Sequence, residues 1–247
     1  MATVILARHG RSTANVSGVL SGRTKGVHLD EHGVAQAQAA GDRLAGLPLS
    51  AIVTSPLERC KETAREISRR QPSPLKVAGE RGLLECDYGS WTNQPLAALA
   101  KEKLWKTVQA HPANVRFPDG ESMAQMMARS VAAVRDWDAR VEEEHGPEAV
   151  WLAVSHGDVI KAILADALGM HLDLFQRLVV DPASLSVIRY TPLRPFVVSV
   201  NSLAGDLAAL RPPVKKRRRK LASDAVVGGG AGSAAAGGAR ASRANTT

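Results

Sequence analysis

The stretch that decides the fold covers residues 3–12 and reads TVILARHGRS. Residues 3–7 form a short run of the type found in strands that are buried on both faces of a sheet. Arg8 follows the run directly, and an unpaired charge at such a place costs several kcal/mol. His9 comes next. The stretch therefore predicts a core strand that ends in polar groups with a role beyond packing.

Further buried-strand runs alternate with helical patterns along the chain. The predicted strands after the first are 51–54, 149–154, 184–190 and 196–200, and the predicted helices are 31–47, 56–70, 121–144 and 159–168. Asp30 is the expected N-cap of the first helix, while Ser55, Pro56 and Glu58 predict a capping box at the start of the second. Repeated βα units predict a three-layer α/β/α sandwich with a mostly parallel sheet.

The positive charge of the chain is confined to its C-terminal segment. The 247 residues carry a formal net charge of +8, and the segment 211–247, with nine Lys or Arg and one acid, carries all of it. We therefore expect one neutral domain over residues 1–210. The tail holds the basic run 215–220 and is then rich in Gly, Ala and Ser, so we expect it to be disordered. Weak, non-specific binding of polyanions by this tail is the partner that its charge suggests.

The composition also indicates the compartment. Two cysteines, Cys60 and Cys86, are too few for a disulfide framework and fit a reducing environment. No apolar run approaches the ~20 residues of a transmembrane helix. The N-terminal apolar stretch is too short, and its first charge too early, for a signal peptide. We therefore expect a cytoplasmic protein that does not associate with membranes.

Three predicted strand ends carry residues that suit an anion. Arg8 and His9 follow the first strand, Arg59 lies in the helix after the second, and His156 follows the third. Carboxyl ends of neighbouring parallel strands share one edge of the sheet, where ligands bind in α/β proteins. A guanidinium group can donate two parallel hydrogen bonds to two oxygens of one phosphate, so phosphate is the expected anion. Each residue alone is more often structural, but together they favour a functional site.

The motifs around these residues resemble a known family. Residues 6–15 (LARHGRSTAN), 55–59 (SPLER) and 154–157 (VSHG) are similar to the signature blocks of the histidine phosphatase superfamily, which includes the cofactor-dependent phosphoglycerate mutases. The resemblance covers roughly residues 3–190, leaves out the tail, and implies the phosphoglycerate mutase-like fold.

The resemblance also implies roles for the site residues. His9 would be the nucleophile that takes the phosphoryl group, and a neutral imidazole needs no activating metal for this. Arg8, Asn15, Arg59 and His156 would hold the phosphate oxygens. No cofactor is implied. The other five histidines show no metal-ligand spacing, so no metal site is expected; they are His28, His32, His111, His145 and His171.

A general acid is implied by the block 84–91, which reads LECDYGSW. Its leading carboxylate, Glu85, resembles the family's acid, with Asp87 as the second candidate. To donate a proton at neutral pH, Glu85 needs a raised pKa, from burial or from a neighbouring carboxylate such as Asp87. The alternative is a loop carboxylate without a role. Cys86 beside it is more simply a small core residue.

The residues after Glu85 distinguish a phosphatase from a mutase. Mutase relatives carry a Lys and then an Arg pair there, whereas this chain has no base before Lys101, and Arg116 stands alone. We therefore expect a metal-independent, acid-type phosphatase that hydrolyses small phosphomonoesters. The substrate itself is not determined by these motifs.

Two other functions stay open at this point. One is a phosphoglycerate mutase, and the other is a non-enzymatic protein that binds phospho-ligands or polyanions with its tail. Arg23 and Thr24 lie either in the substrate pocket or in a surface turn, and residues 118–122 most simply start and cap a helix. The β-rich end of the domain could supply the edge of a homodimer.

Overall fold

The computed structural model describes residues 2–203, in which strands and helices alternate. The strands of this part of the chain are β1 (Thr3–Arg8), β2 (Ala51–Thr54), β3 (Val77–Gly79), β4 (Val150–Ser155), β5 (Leu185–Arg189) and β6 (Phe196–Ser202). Its helices are α1 (Thr13–Ser17), α2 (Glu31–Leu44), α3 (Glu58–Ser68), α4 (Leu96–Leu99), α5 (Lys103–Ala110), α6 (Met123–His145) and α7 (Gly157–Ala167). The tail 211–247, expected to be disordered, lies outside the described residues.

One mixed sheet forms the centre, with the strand order β3-β2-β4-β1-β5-β6. The pairs β3–β2, β2–β4 and β4–β1 are parallel, while β5 is antiparallel to both of its neighbours. The predicted mostly parallel sheet is therefore confirmed. Since β4 lies between β1 and β2, the carboxyl ends of these three strands are adjacent.

Helices cover both faces of the sheet, so the predicted sandwich is confirmed. Val4 and Leu6 of β1 pack into one core, which also contains side chains of α6 and α7. Ile5 and Ala7 point to the other face, into a second core formed with α2 and α3. A strand between two cores has no polar face, which explains why the sequence of β1 is continuously apolar. Within residues 2–203, no helix is long and apolar enough to cross a bilayer.

The predicted elements are present, with ends that differ by a few residues, but β3, α1, α4 and α5 were not predicted. The Asp30 cap is confirmed, because its carboxylate accepts from the N–H of Gly33 at 2.7 Å. The capping box at Ser55 was wrong. Helix α3 begins at Glu58 without a side-chain cap, and the Ser55 hydroxyl instead accepts from His156 Nε2 at 2.9 Å.

Two glycines let α2 approach the segment that follows β1. A Cβ added to Gly10 would lie 2.3 Å from the carbonyl oxygen of Gly33, and one added to Gly33 would lie 1.9 Å from that of Arg11. Both partners are backbone atoms, which cannot move aside as a flexible side chain can. The close contact therefore holds the residues around His9 against α2.

Replacing Gly33 tests this contact. Alanine is the better helix former by about 1 kcal/mol, yet the clash should reverse the sign, and we expect Gly33→Ala to lower the free energy of unfolding by about 1–3 kcal/mol. Urea denaturation measures the change. The control is Gly46→Ala, whose new Cβ would meet nothing within 4 Å. Equal stability of both variants would contradict the packing argument.

Candidate active site

The ends of β1, β4 and β2 bring the predicted site residues together. Arg8 is in register with Ser155, and Thr54 with Val154. As a result, His9 and His156 leave the sheet side by side, with ring centroids 5.3 Å apart and the rings inclined at 64°. Both rings are buried. The expected convergence at the carboxyl edge is therefore present.

The hydrogen bond of His9 determines which of its nitrogens can react. Its Nδ1 lies 2.7 Å from the carbonyl oxygen of Gly10. Because a carbonyl only accepts, Nδ1 carries the proton and Nε2 keeps its lone pair. Burial, together with the charges of Arg59 and Arg8, holds the pKa of His9 well below its usual value. The imidazole is therefore neutral at physiological pH, and the lone pair on its Nε2 is chemically capable of nucleophilic attack.

Arg59 supplies donors for an anion. Its side chain is buried at the start of α3, and Nη2 donates to the carbonyl oxygen of Gly22 at 2.8 Å. Nε and Nη1 are buried and have no hydrogen-bond partner among the described residues. Two buried guanidinium donors without an acceptor are costly unless a ligand supplies one. Their position in the pocket lining beside His9 suits a phosphate group.

Arg59 and Ser55 make the shortest contacts with the His156 ring, and Cys60 Sγ lies 3.5 Å from its Nε2. Arg59 Nη2 lies 3.2 Å from its Nδ1, and its Nε2 lies 2.9 Å from the Ser55 hydroxyl. Since a guanidinium only donates, Nδ1 accepts and Nε2 carries the proton. Burial and the charge of Arg59 hold the pKa of His156 well below its usual value. Both nitrogens are thus occupied, and His156 can donate to a phosphate only after Nδ1 is protonated.

Of the other two predicted phosphate ligands, Arg8 lies behind the pocket lining and Asn15 belongs to it. Arg8 is fully buried, and its Nη1 donates to the carbonyl oxygen of Val180 at 2.8 Å; burial lowers its pKa to about 10. Neither Arg8 nor His156 belongs to the pocket lining, whereas Asn15 does. The Asn15 amide oxygen accepts from the backbone N–H and the hydroxyl of Ser12, at 3.0 and 2.9 Å. This leaves the amide nitrogen as the Asn15 group for a ligand.

Glu85 lines the same pocket as His9 and lies close to His156. It is 3% exposed; its Oε1 accepts from the N–H of Cys86 at 3.0 Å, and its Oε2 is 3.8 Å from His156 Nδ1. Burial, and then the charge of Asp158, raises the pKa of Glu85 to about 7. A substantial fraction of Glu85 is therefore protonated at neutral pH, as a general acid requires.

The neighbour that raises this pKa is not the one expected. Asp87, suggested from the sequence, has a side chain that is 41% exposed and pairs with Arg23 at 3.3 Å. The effective carboxylate is Asp158, which is buried in the first turn of α7 and accepts from the Tyr88 hydroxyl at 3.0 Å. Its place two residues after His156 was the sequence signal that could have revealed it.

The pocket itself is small and has few charges. Together with the open solvent at its mouth, it encloses about 380 Å³ of space between atoms. Besides His9, Asn15, Arg59 and Glu85, its lining consists of Ala14, Gly18, Val19, Leu20, Ser21, Gly22, Tyr88 and Leu96. Arg59 is the only Lys or Arg among these described lining residues. The walls away from Arg59 and Glu85 are therefore neutral and partly apolar.

Neither Arg23 nor Thr24 lines this pocket. Arg23 instead donates from Nε to the carbonyl oxygen of Glu85 at 2.9 Å, and the Thr24 hydroxyl donates to the Asn93 amide oxygen at 2.8 Å. In the part of the chain that the structure describes, no group of three or more His, Cys, Asp or Glu side chains could hold a metal ion.

The buried carboxyl of Glu85 has a measurable effect on stability. A carboxyl whose pKa is raised by folding stabilises the protein below its unfolded pKa, and this contribution is lost as the pH rises through the folded value of about 7. Glu85→Gln does not ionise, so we expect it to exceed the wild type in free energy of unfolding by roughly 3 kcal/mol at about pH 8.5 and by little at about pH 4.

Urea denaturation at the two pH values measures this difference. The control is Glu144→Gln, on α6, where the carboxylate is 76% exposed; it should follow the wild type at both. A difference for Glu85→Gln that does not grow with pH would show that the ionised carboxylate is not destabilising.

Comparison with known proteins agrees with this geometry. The family model described as "Histidine phosphatase superfamily (branch 1)" matches residues 4–203. A probable phosphoglycerate mutase, GpmB, of Yersinia enterocolitica is 31% identical over 217 residues, which cover 86% of this chain and 97% of the relative. Phosphoserine phosphatase 1 of Hydrogenobacter thermophilus is 30% identical over 204 residues, covering 81% of this chain and 92% of the relative.

Solved structures give the same result. A mycobacterial glucosyl-3-phosphoglycerate phosphatase in complex with VO3 superposes with a TM-score of 0.73 at 28% identity, over 81% of this chain and 98% of the other. A putative alpha-ribazole-5'-P phosphatase of Escherichia coli superposes with a TM-score of 0.70 at 25% identity, over 82% of this chain and 97% of the other. The chain belongs to branch 1 of the histidine phosphatase superfamily, and it is an enzyme of the phosphatase and phosphotransferase class.

Proposed function

We propose that this enzyme hydrolyses small phosphomonoesters through a phosphohistidine on His9, without a metal ion. The observation that carries the proposal is that one pocket holds both an unprotonated imidazole nitrogen and a protonated carboxyl group. His9 is neutral with its Nε2 lone pair available, and Glu85 holds a proton up to about pH 7. A nucleophile and an acid are the two groups that phosphoryl transfer to an enzyme requires.

In the first step, His9 Nε2 attacks phosphorus. The N–P bond forms as the P–O bond to the leaving group breaks, and the leaving oxygen takes the proton of Glu85. The free Nε and Nη1 donors of Arg59 and the Asn15 amide neutralise charge on the equatorial oxygens. The dianion also favours protonation of His156 at Nδ1, which turns this nitrogen into a donor. Arg8 adds positive charge from behind the pocket.

In the second step, water replaces the alcohol. Glu85 is now a carboxylate and takes a proton from the water as its oxygen attacks phosphorus. The N–P bond breaks, phosphate leaves, and the electron pair returns to His9 Nε2. Glu85 thereby recovers its proton, so acid and base are the same residue in successive steps.

The neutral walls of the pocket favour hydrolysis over mutase chemistry. A mutase must retain a bisphosphorylated intermediate that also carries a carboxylate, which needs several cations. Arg59 is the only Lys or Arg among the described lining residues, and Arg23 is bound to Glu85, Asp87 and Glu121. Phosphoserine phosphatase 1 and the mycobacterial phosphatase are relatives that support hydrolysis. We therefore propose an uncrowded monoester with a neutral leaving group as the substrate.

A mutase is the second candidate, because the probable phosphoglycerate mutase GpmB is 31% identical to this chain. For the location of the enzyme we propose the cytoplasm, which suits the two free and buried thiols of Cys60 and Cys86.

The reaction is tested by phosphate release from para-nitrophenyl phosphate in the presence of a chelator. We expect steady turnover by the wild type, unaffected by chelation, and a loss of roughly a thousandfold or more in His9→Ala, because the attacking nitrogen is gone. The matched control is His32→Ala, an exposed histidine on α2, which should keep full activity. Chelator-sensitive turnover would contradict the metal-free mechanism.

The mutase is tested separately with 3-phosphoglycerate and a trace of 2,3-bisphosphoglycerate, followed by phosphorus NMR. We expect phosphate release from aryl and sugar phosphates to exceed turnover of the bisphosphate by roughly tenfold. The reason is that the second phosphate and the carboxylate of the bisphosphate would meet no further cation in the pocket. Isomerisation of 3-phosphoglycerate with little free phosphate would instead establish the mutase.

A further inference from the structure

Three side chains outside the pocket converge on the loop that carries Glu85. They are Arg23, Glu121 and Arg129, here called the acid-loop clamp. We propose that the clamp positions Glu85 toward the leaving-group oxygen, so that its members are positioning residues for the proton transfer. This inference rests on the proposed role of Glu85 as the general acid.

Arg129 makes the largest number of contacts with the loop. It lies in the second turn of α6, and its Nη1 donates to the carbonyl oxygens of Gly82 and Leu84 at 2.7 and 2.8 Å. Its Nη2 donates to the carbonyl oxygen of Glu85 at 3.0 Å. One planar group thus holds three carbonyls of the loop, including that of the acid itself. Guanidinium has the donor number and the fixed geometry for this, whereas an ammonium group does not.

Glu121 joins the two arginines. Its Oε2 accepts from Arg129 Nε at 3.0 Å, and its Oε1 accepts from both Arg129 Nη2, at 2.6 Å, and Arg23 Nη2, at 3.0 Å. The same Oε1 accepts from the N–H of Asp87 at 2.9 Å. The Glu121 carboxylate is only 15% exposed, and its charge offsets those of the two guanidiniums.

Arg23 connects the clamp to the phosphate-binding side. Its Nε donates to the carbonyl oxygen of Glu85 at 2.9 Å, so this oxygen accepts from two arginines. The preceding residue, Gly22, accepts from Arg59 Nη2 at 2.8 Å. The distance between the acid and the phosphate-binding guanidinium is therefore set by adjacent residues of one short segment.

Backbone packing leaves the loop little freedom to adjust. Gly89 has a φ of +51°, and a Cβ there would lie 1.9 Å from the carbonyl oxygen of Pro118. A Cβ on Gly120 would lie 2.3 Å from the carbonyl oxygen of Asp87. The loop therefore rests directly on the segment that carries Glu121. Loss of a clamp contact should rotate Glu85 rather than be absorbed elsewhere, and a misplacement of about 1 Å can cost on the order of a hundredfold in rate.

Leaving-group dependence separates this role from a merely structural one. An aryl oxide leaves without much help from an acid, whereas an alkoxide needs the proton. The experiment compares kcat/KM, which reports the steps up to the phosphohistidine, for para-nitrophenyl phosphate and glycerol 2-phosphate. Glu85→Gln is the reference, and we expect it to lose roughly a hundredfold or more on the alkyl ester and much less on the aryl ester.

The clamp variants are Arg129→Lys and Glu121→Gln, each checked by thermal unfolding. We expect both to lose roughly tenfold on glycerol 2-phosphate and less than about threefold on the aryl ester. The matched control is Arg135→Lys, on the same helix, where the arginine donates to the Asp166 carboxylate at 2.7 Å and its side chain is 54% exposed. It should leave both values unchanged.

The outcomes distinguish the two proposals. If Glu85→Gln discriminates between the esters while both folded clamp variants lose activity on them in parallel, the clamp only supports the fold and the inference is overturned. If Glu85→Gln itself shows no discrimination, the acid role falls, and the clamp proposal with it. Selective loss on the alkyl ester in either folded clamp variant supports positioning.

Discussion

The parallel pairing of β1 with β4 is the constraint on which the site depends. Arg8 lies in register with Ser155, and the two following residues, His9 and His156, therefore meet at the carboxyl edge. Because successive side chains of a strand point to opposite faces, a slip of one residue would turn every apolar side chain of β1 toward the wrong core. The same alternation that packs the two cores thus also sets the histidines 5.3 Å apart.

Burial then separates the proton affinities of His9 and Glu85, the two groups proposed to react. His9 is surrounded by guanidiniums and loses affinity for a second proton, while Glu85 is buried near Asp158 and gains affinity for one. With the ordinary pKa values that both groups have in water, no pH would keep the imidazole neutral and the carboxyl protonated at the same time. The low polarity that produces this difference also makes the ionised carboxylate costly, so the protonation state proposed for catalysis lowers stability at high pH.

Local patterns in the sequence were sufficient for much of the fold. The continuous apolar run of β1, the helical periodicity of α6 and the Asp30 cap depend on neighbouring residues, and each is confirmed. The three-residue β3 and the four-residue α4 escaped prediction because such short elements carry too little periodicity. The Ser55 capping box failed for a different reason, since a tertiary partner, His156, takes the hydroxyl that a cap would have used.

The chain by itself determined the order of strands and helices, the residues at the three strand ends and the family, because these rest on contiguous motifs and on periods of two and 3.6 residues. Only the tertiary structure decided which carboxylate raises the pKa of Glu85, which nitrogen of His156 carries the proton, and that Arg129 holds the acid loop. Each of these depends on atoms that are close in space but far along the chain. Hydrogen bonds and charges act over distances in space, whereas sequence patterns report only the neighbours along the chain.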